Sequence, residues 1–136
     1  MSSILKVDTI SEKTSANGVE LKAYKETDVA VTSAAVLAIN LSNGNTGAVT
    51  LGHNVTDIDF TNVPTNGVST FTLKATQDGT GSRTMAINAV TVNAGSHVTA
   101  LTAGAAGLTL STGAADVDLI TFLFFDAATP LLNAQL

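Results

Sequence analysis

From Val68 to Gln77 apolar and polar residues alternate. Phe71, Leu73 and Ala75 fall on one side, Thr70, Thr72, Lys74 and Thr76 on the other. A period of two residues belongs to a strand with one face on a core and the other in water. The same reading predicts strands over Val36–Leu41, Thr46–Leu51 and Val55–Thr61. In the third, Val55, Asp57 and Asp59 are placed on one face and Thr56, Ile58 and Phe60 on the other. Between these runs stand Ser42-Asn43-Gly44-Asn45, Gly52-His53-Asn54, Pro64-Thr65-Asn66-Gly67 and Asp78-Gly79-Thr80-Gly81-Ser82. Asn, Asp, Gly and Pro supply the backbone angles of tight turns. Short strands with turns at such intervals predict an all-β sandwich or barrel. The Gly-, Ala- and Ser-rich stretch 94–111 predicts a loop with one short strand.

The strand predicted from Asp116 to Phe125 has a different pattern. Val117, Leu119, Thr121, Leu123 and Phe125 lie on one face, Asp118, Ile120, Phe122 and Phe124 on the other, and from Leu119 onward both faces are apolar. A strand greasy on both sides is covered on both. A single sandwich covers one, so Leu119, Ile120, Phe122, Leu123, Phe124 and Phe125 are the expected oligomer contact. Cover by the chain's own N-terminal segment is the alternative.

That segment, residues 1–24, is set apart near Tyr24. It holds three of the six basic residues, Lys6, Lys13 and Lys22, with Lys25 just after it, and only short apolar stretches, Ile4, Leu5, Val7 and Ile10 among them. It reads as an extended arm that orders on its own domain or on a neighbour, ahead of one domain over 25–136.

Charge narrows the class. Charged residues make up 12% of the 136, against about a quarter in ordinary domains, and the net charge is −5. A neutral surface rich in Thr, Ser and Asn suits extensive protein contact. The basic residues are scattered, and phosphate binding needs them clustered, so no nucleic acid is expected. Without cysteine there is no disulfide framework and no thiolate metal site. No run reaches the roughly 18 apolar residues of a membrane span, and the N-terminus lacks a signal peptide's apolar stretch. Synthesis in a cytoplasm, with no membrane, is the expectation.

Catalytic groups are scarce. The two histidines, His53 and His97, sit beside turn residues and read as solvated. Ser96 and His97 are adjacent, and neighbours on a strand point to opposite faces. The pairs Asp57/Asp59 and Asp116/Asp118 lack the Gly-punctuated oxygen ligands of a calcium loop and read as outward, solvated carboxylates. Asp78 and Arg83, facing across a turn, are expected to pair. Neither catalytic, cofactor nor metal residues are expected, and the chain reads as no enzyme.

Four stretches carry a resemblance. The opening Met1-Ser2-Ser3-Ile4-Leu5-Lys6-Val7-Asp8-Thr9-Ile10 resembles the start of virion structural proteins of tailed phages, marine ones especially. Ile39 to Leu51, with Asn40-Leu41-Ser42-Asn43-Gly44-Asn45 at its centre, and Phe71 to Thr84 resemble a β-domain of phage fibre and decoration proteins. Ala114 to Phe122 is similar to the close of that domain, although the tryptophans such domains often carry are missing here.

The resemblance implies a jelly-roll-like β-sandwich in a capsid decoration, or cement, protein on the virion surface. Its partners would be its own copies in a homotrimer and the major capsid protein. A short tail-fibre or tail-adaptor subunit, contacting a tail protein, is the alternative; the brevity of the chain favours the capsid. A carbohydrate-binding module, which needs aromatic platforms, fits a chain with one tyrosine and no tryptophan poorly.

Overall fold

The computed structural model describes residues 25–96, 98, 101–102, 108–127 and 131–135. The arm over 1–24, with Ile4, Leu5, Val7 and Ile10, lies outside the described residues, as does His97. The described residues form nine strands: β1 (Asp28–Ala30), β2 (Val36–Asn40), β3 (Thr46–Leu51), β4 (Asp57–Thr61), β5 (Val68–Gln77), β6 (Val90–Val92), β7 (Leu101–Thr102), β8 (Val117–Phe125) and β9 (Leu131–Gln135). A 3-10 turn, Leu41–Asn43, is the one helical element among the described residues. The all-β class therefore holds.

The connectivity is more particular. Odd strands β1, β3 and β5 lie side by side in a six-stranded sheet of order β1-β3-β5-β8-β9-β7, while β2, β4 and β6 form a separate three-stranded sheet. From β1 to β6 the chain alternates between the sheets, and neighbours within each pair in parallel. Asp28 is in register with Thr46 one coil later, and Thr46 with Thr72 a further coil on. Among the described strands, the antiparallel pairing of a jelly roll occurs where β8 joins β5 and β9, with one further antiparallel bridge between Val90 and Val98. Periodicity reports which face a residue occupies, not which way the neighbouring strand runs, so the alternation carried no sign of the coil.

Asparagine marks the same corner of successive coils. Asn40 ends β2, and Asn62 and Asn93 follow β4 and β6. Asn62 and Asn93 adopt φ of 55° and 48°, a left-handed conformation that asparagine tolerates better than most residues. Asn62 Nδ2 donates to Asn40 Oδ1 at 2.8 Å. Asn93 clamps the backbone of the preceding coil, accepting from Val63 N at 2.9 Å and donating to Val63 O at 2.8 Å. At the opposite corner Ser33 Oγ accepts from Gly52 N at 2.8 Å. The bonds of Asn93 and Ser33 satisfy turn backbone that a coiled path leaves outside the sheet ladders.

The two sheets share one core. Leu37, Ile39, Ile58, Phe60 and Val90 from the smaller sheet meet Val49, Leu51, Phe71, Leu73, Ile120, Phe122 and Phe124 from the larger. Phe60 is the centre, with ring centroids 6.1 Å from Phe71, 4.9 Å from Phe122 and 5.0 Å from Phe124. Gly47 on β3 leaves room for this cluster: a Cβ there would lie 2.7 Å from the Phe71 ring. Val55 is also buried, bridging to Met85 just ahead of β4. It does not share the fate of Asp57 and Asp59, which are half-buried.

Leu73 is fully buried, as the alternation of β5 predicts. Its replacement by Ala should lower stability by about 2–5 kcal/mol, read as a shift of the denaturant midpoint at unchanged slope.

Candidate interaction surface

The outward face of the six-stranded sheet is the surface the fold leaves apolar. Strand β8 alternates strictly: Asp118, Ile120, Phe122 and Phe124 are buried, while Val117, Leu119 and Phe125 are exposed and Thr121 and Leu123 half-buried between them. Of the expected oligomer residues, Ile120, Phe122 and Phe124 are corrected by this register. They are fully buried in the chain's own core and unavailable to a partner. Leu119 and Phe125, 47% and 50% exposed, remain on the surface, with Leu123 between them. The strand is greasy on both sides because one side is core and the other is this stripe.

Antiparallel pairing sets the neighbours of the stripe. On β5, Val68, Thr70, Thr72, Lys74 and Thr76 stand opposite Phe125, Leu123, Thr121, Leu119 and Val117. Thr72 Oγ1 and Thr121 Oγ1 are 3.1 Å apart, so two adjacent hydroxyls satisfy each other across the strands. Further out come Thr46, Ala48 and Thr50 on β3, then Asp28 and Ala30 on β1. Among these outward positions only Lys74 and Asp28 are charged. Four of the five large apolar residues exposed among the described ones, Val68, Val117, Leu119 and Phe125, gather on this face. Exposed apolar surface that is contiguous rather than scattered marks contact with another molecule.

One end of the face is held by a polar clasp. Gln77, at the end of β5 and almost fully buried, donates through Nε2 to Arg83 O at 3.1 Å and Ser111 O at 2.8 Å. Its Oε1 accepts from Arg83 N at 2.8 Å. Asp118, expected in solvent, is instead 1% exposed. It accepts from Ser111 Oγ at 2.8 Å and Ser111 N at 3.1 Å. The Asp116/Asp118 pair is thereby split: Asp116 is exposed and accepts from Gly113 N at 2.7 Å, closing a surface turn. Gly81, with φ of 72°, lies where a Cβ would meet Thr112 O at 2.4 Å, so glycine is required for the loop to close on the strand. Gln77 was not singled out from the sequence, and Asp118 was read there as a solvated carboxylate. A glutamine at a position whose alternating partners are Phe71, Leu73 and Ala75 is the signal that marks Gln77.

The expected pair across the 78–82 turn is formed. Arg83 Nε and Nη2 donate to Asp78 Oδ2 at 3.0 and 2.5 Å. The Arg83 guanidinium, helped by the N–H groups of Gly81 and Thr80, holds the Asp78 carboxyl below its ordinary value of 3.8. A carboxyl depressed on folding stabilises the fold above its unfolded value and loses that contribution as the pH falls through the folded one. The difference in melting temperature between wild type and Asp78→Asn should therefore be full at neutral pH. It should close as the pH drops below the ordinary carboxylate range, in thermal scans of both proteins.

Elsewhere the polar groups do structural work. His53 Nδ1 lies 3.3 Å from Ser33 Oγ, at an exposed corner where Ser33 also receives Gly52 N. Among the described residues no three His, Asp or Glu side chains gather where a metal ion could be held, and no helix is long and apolar enough to cross a membrane. Comparison with known proteins returns no match to a family model, a curated protein or a solved structure.

Proposed function

We propose that this chain is a virion structural protein of a phage-like particle, a capsid decoration protein that stabilises an icosahedral head. It would assemble as a homotrimer and reach the major capsid protein through the arm over 1–24. The observation that carries its structural part is the outward sheet face. Val68, Val117, Leu119 and Phe125 stand exposed together, with one lysine and one aspartate among the neighbouring outward positions. Such a face gains free energy when another protein covers it, at about 25 cal/mol for each Å² of apolar surface removed from water. The resemblance of the Met1–Ile10 and Phe71–Thr84 stretches to phage proteins supports the virion. The two packed sheets would serve as the sandwich module of that class, jelly-roll-like in layering, with a parallel coil in part of its connectivity.

Quantitative protein gels of purified particles test the reading. Hundreds of copies per particle are expected of a decoration protein. A few copies to a few dozen would assign the chain to the tail, and absence from particles would overturn the virion role. Deleting Met1–Glu12 should leave a folded protein that no longer occupies the shell; unchanged occupancy would remove the arm from the proposal.

A further inference from the structure

We propose that Asn66 is a self-modification site, where the Gly67 amide nitrogen closes a ring on the Asn66 side chain with Asp126 as the base. The product is an aspartate or isoaspartate at position 66. The inference stands apart from the assembly proposed above.

Asparagine followed by glycine is the pair in which this chemistry is least hindered. Glycine carries no side chain beside its own nitrogen, and its backbone adopts angles closed to other residues. Two such pairs fall among the described residues, Asn43-Gly44 and Asn66-Gly67, while Asn17-Gly18 lies outside them. Asn43 and Asn66 are both exposed. What differs is the group that holds the glycine N–H.

Gly44 N donates to Leu41 O at 3.3 Å. A carbonyl oxygen holds that proton in place and does not carry it away. Gly67 N donates instead to Asp126 Oδ1 at 2.6 Å, and a carboxylate can accept the proton outright. That distance is within the reach of a general base. The contact is fixed from both sides, because Asp126 N donates back to Gly67 O at 2.9 Å. It closes the end of the β5–β8 ladder, one position beyond the pairing of Val68 with Phe125. Asp126 sits there at φ of 52°, a left-handed conformation that aspartate tolerates better than most residues. Gly67 has φ of 97°, and a Cβ on it would meet nothing within 4 Å, so the space around the nucleophile is open.

The step balances with water as its one co-reactant. Gly67 N gives its proton to Asp126 and forms a bond to Asn66 Cγ. The Cγ–Nδ2 bond then breaks, and the nitrogen leaves as ammonia with the proton that Asp126 returns. Water opens the resulting succinimide at either carbonyl, giving aspartate or isoaspartate, and nothing is oxidised or reduced. Asn66 lines an open groove with Thr61, Asn62, Pro64 and Asn93, so water reaches the ring. The new carboxylate stands next to Gly67 and its partner Asp126, at the end of the sheet where Val68 and Phe125 are exposed. Modification therefore adds a negative charge at one end of the apolar stripe.

Tandem mass spectrometry of peptides from the full chain, aged at neutral pH, tests this. In folded wild type, loss of ammonia and then exchange of amide for acid should accumulate at Asn66 well ahead of Asn43. In urea the carboxylate is no longer held on Gly67, so conversion at Asn66 should slow toward the rate at Asn43. Asp126→Asn keeps an oxygen acceptor for Gly67 N but removes the base. It should slow conversion at Asn66 by about 10²-fold, the low end of what a positioned base supplies, and leave Asn43 unchanged, with folding checked by circular dichroism. Products at Asn43 that keep pace with those at Asn66 in the folded chain overturn the site. Conversion at Asn66 that Asp126→Asn leaves unchanged or speeds overturns the role of the carboxylate. A wild-type rate at Asn66 that does not fall in urea overturns it without recourse to the variant.

Discussion

Replacing Phe60 by Ala should destabilise the fold by about 3–5 kcal/mol, the upper part of the range for a single core substitution. Phe60 is fully buried and is the ring that joins the two sheets, lying against Phe71, Phe122 and Phe124. Its removal leaves a cavity between layers that cannot collapse, because each sheet is held by its own ladder. Edge-on and tilted ring contacts of this kind add about 0.5–1.5 kcal/mol each beyond burial. Domains of this size are stable by about 5–15 kcal/mol in total, so the variant should show a visible unfolded fraction in mild urea. Phe125→Ala is the matched control. Phe125 is half exposed on the outer face, so its loss should cost the isolated chain little and weaken assembly instead. Urea midpoints of the two variants, measured at low protein concentration, separate core from contact surface.

That division shows how far the pattern of residues reaches. Strands β3 and β5 were legible to the residue, because Thr46–Leu51 and Val68–Gln77 alternate cleanly and end at strong turns. The extent of β8 was legible too, but its two apolar faces were not. Composition cannot tell a face covered by the chain itself from one covered by a partner. The register with β5 decides it, turning Ile120, Phe122 and Phe124 inward and Leu119 and Phe125 outward.

The parallel coil was hidden for a related reason: alternation is the same in parallel and antiparallel sheets. The asparagine that ends β2 and those that follow β4 and β6 are the trace it leaves, the last two in the left-handed backbone that asparagine tolerates. Asp118 misled because carboxylates are usually solvated. Only the fold brings Ser111 to its side, with a backbone N–H and a hydroxyl to satisfy it.

Gln77→Leu should cost about 2–4 kcal/mol although leucine nearly matches the volume. The side chain makes three hydrogen bonds to backbone, two at Arg83 and one at Ser111. Leaving buried backbone groups without partners costs about 1–3 kcal/mol each, less where water can reach them, and the loop is only partly buried. Gln77→Glu should be worse at neutral pH, because a carboxylate oxygen would then face the carbonyls of Arg83 and Ser111. Its deficit should shrink as the pH is lowered, since that setting raises the carboxyl's folded pKa and protonation restores a donor. Urea titrations across pH distinguish the two variants. A Gln77→Leu protein as stable as wild type would mean that the clasp contributes nothing to the fold. The consequence extends to assembly, because the side-chain clasp holds the corner where Gln77 N donates to Asp116 O just ahead of β8. Loosening this corner frays the end of the stripe at Val117, paired with Thr76 beside the clasp. Gln77→Leu should therefore weaken self-association without touching a single residue of the outward face.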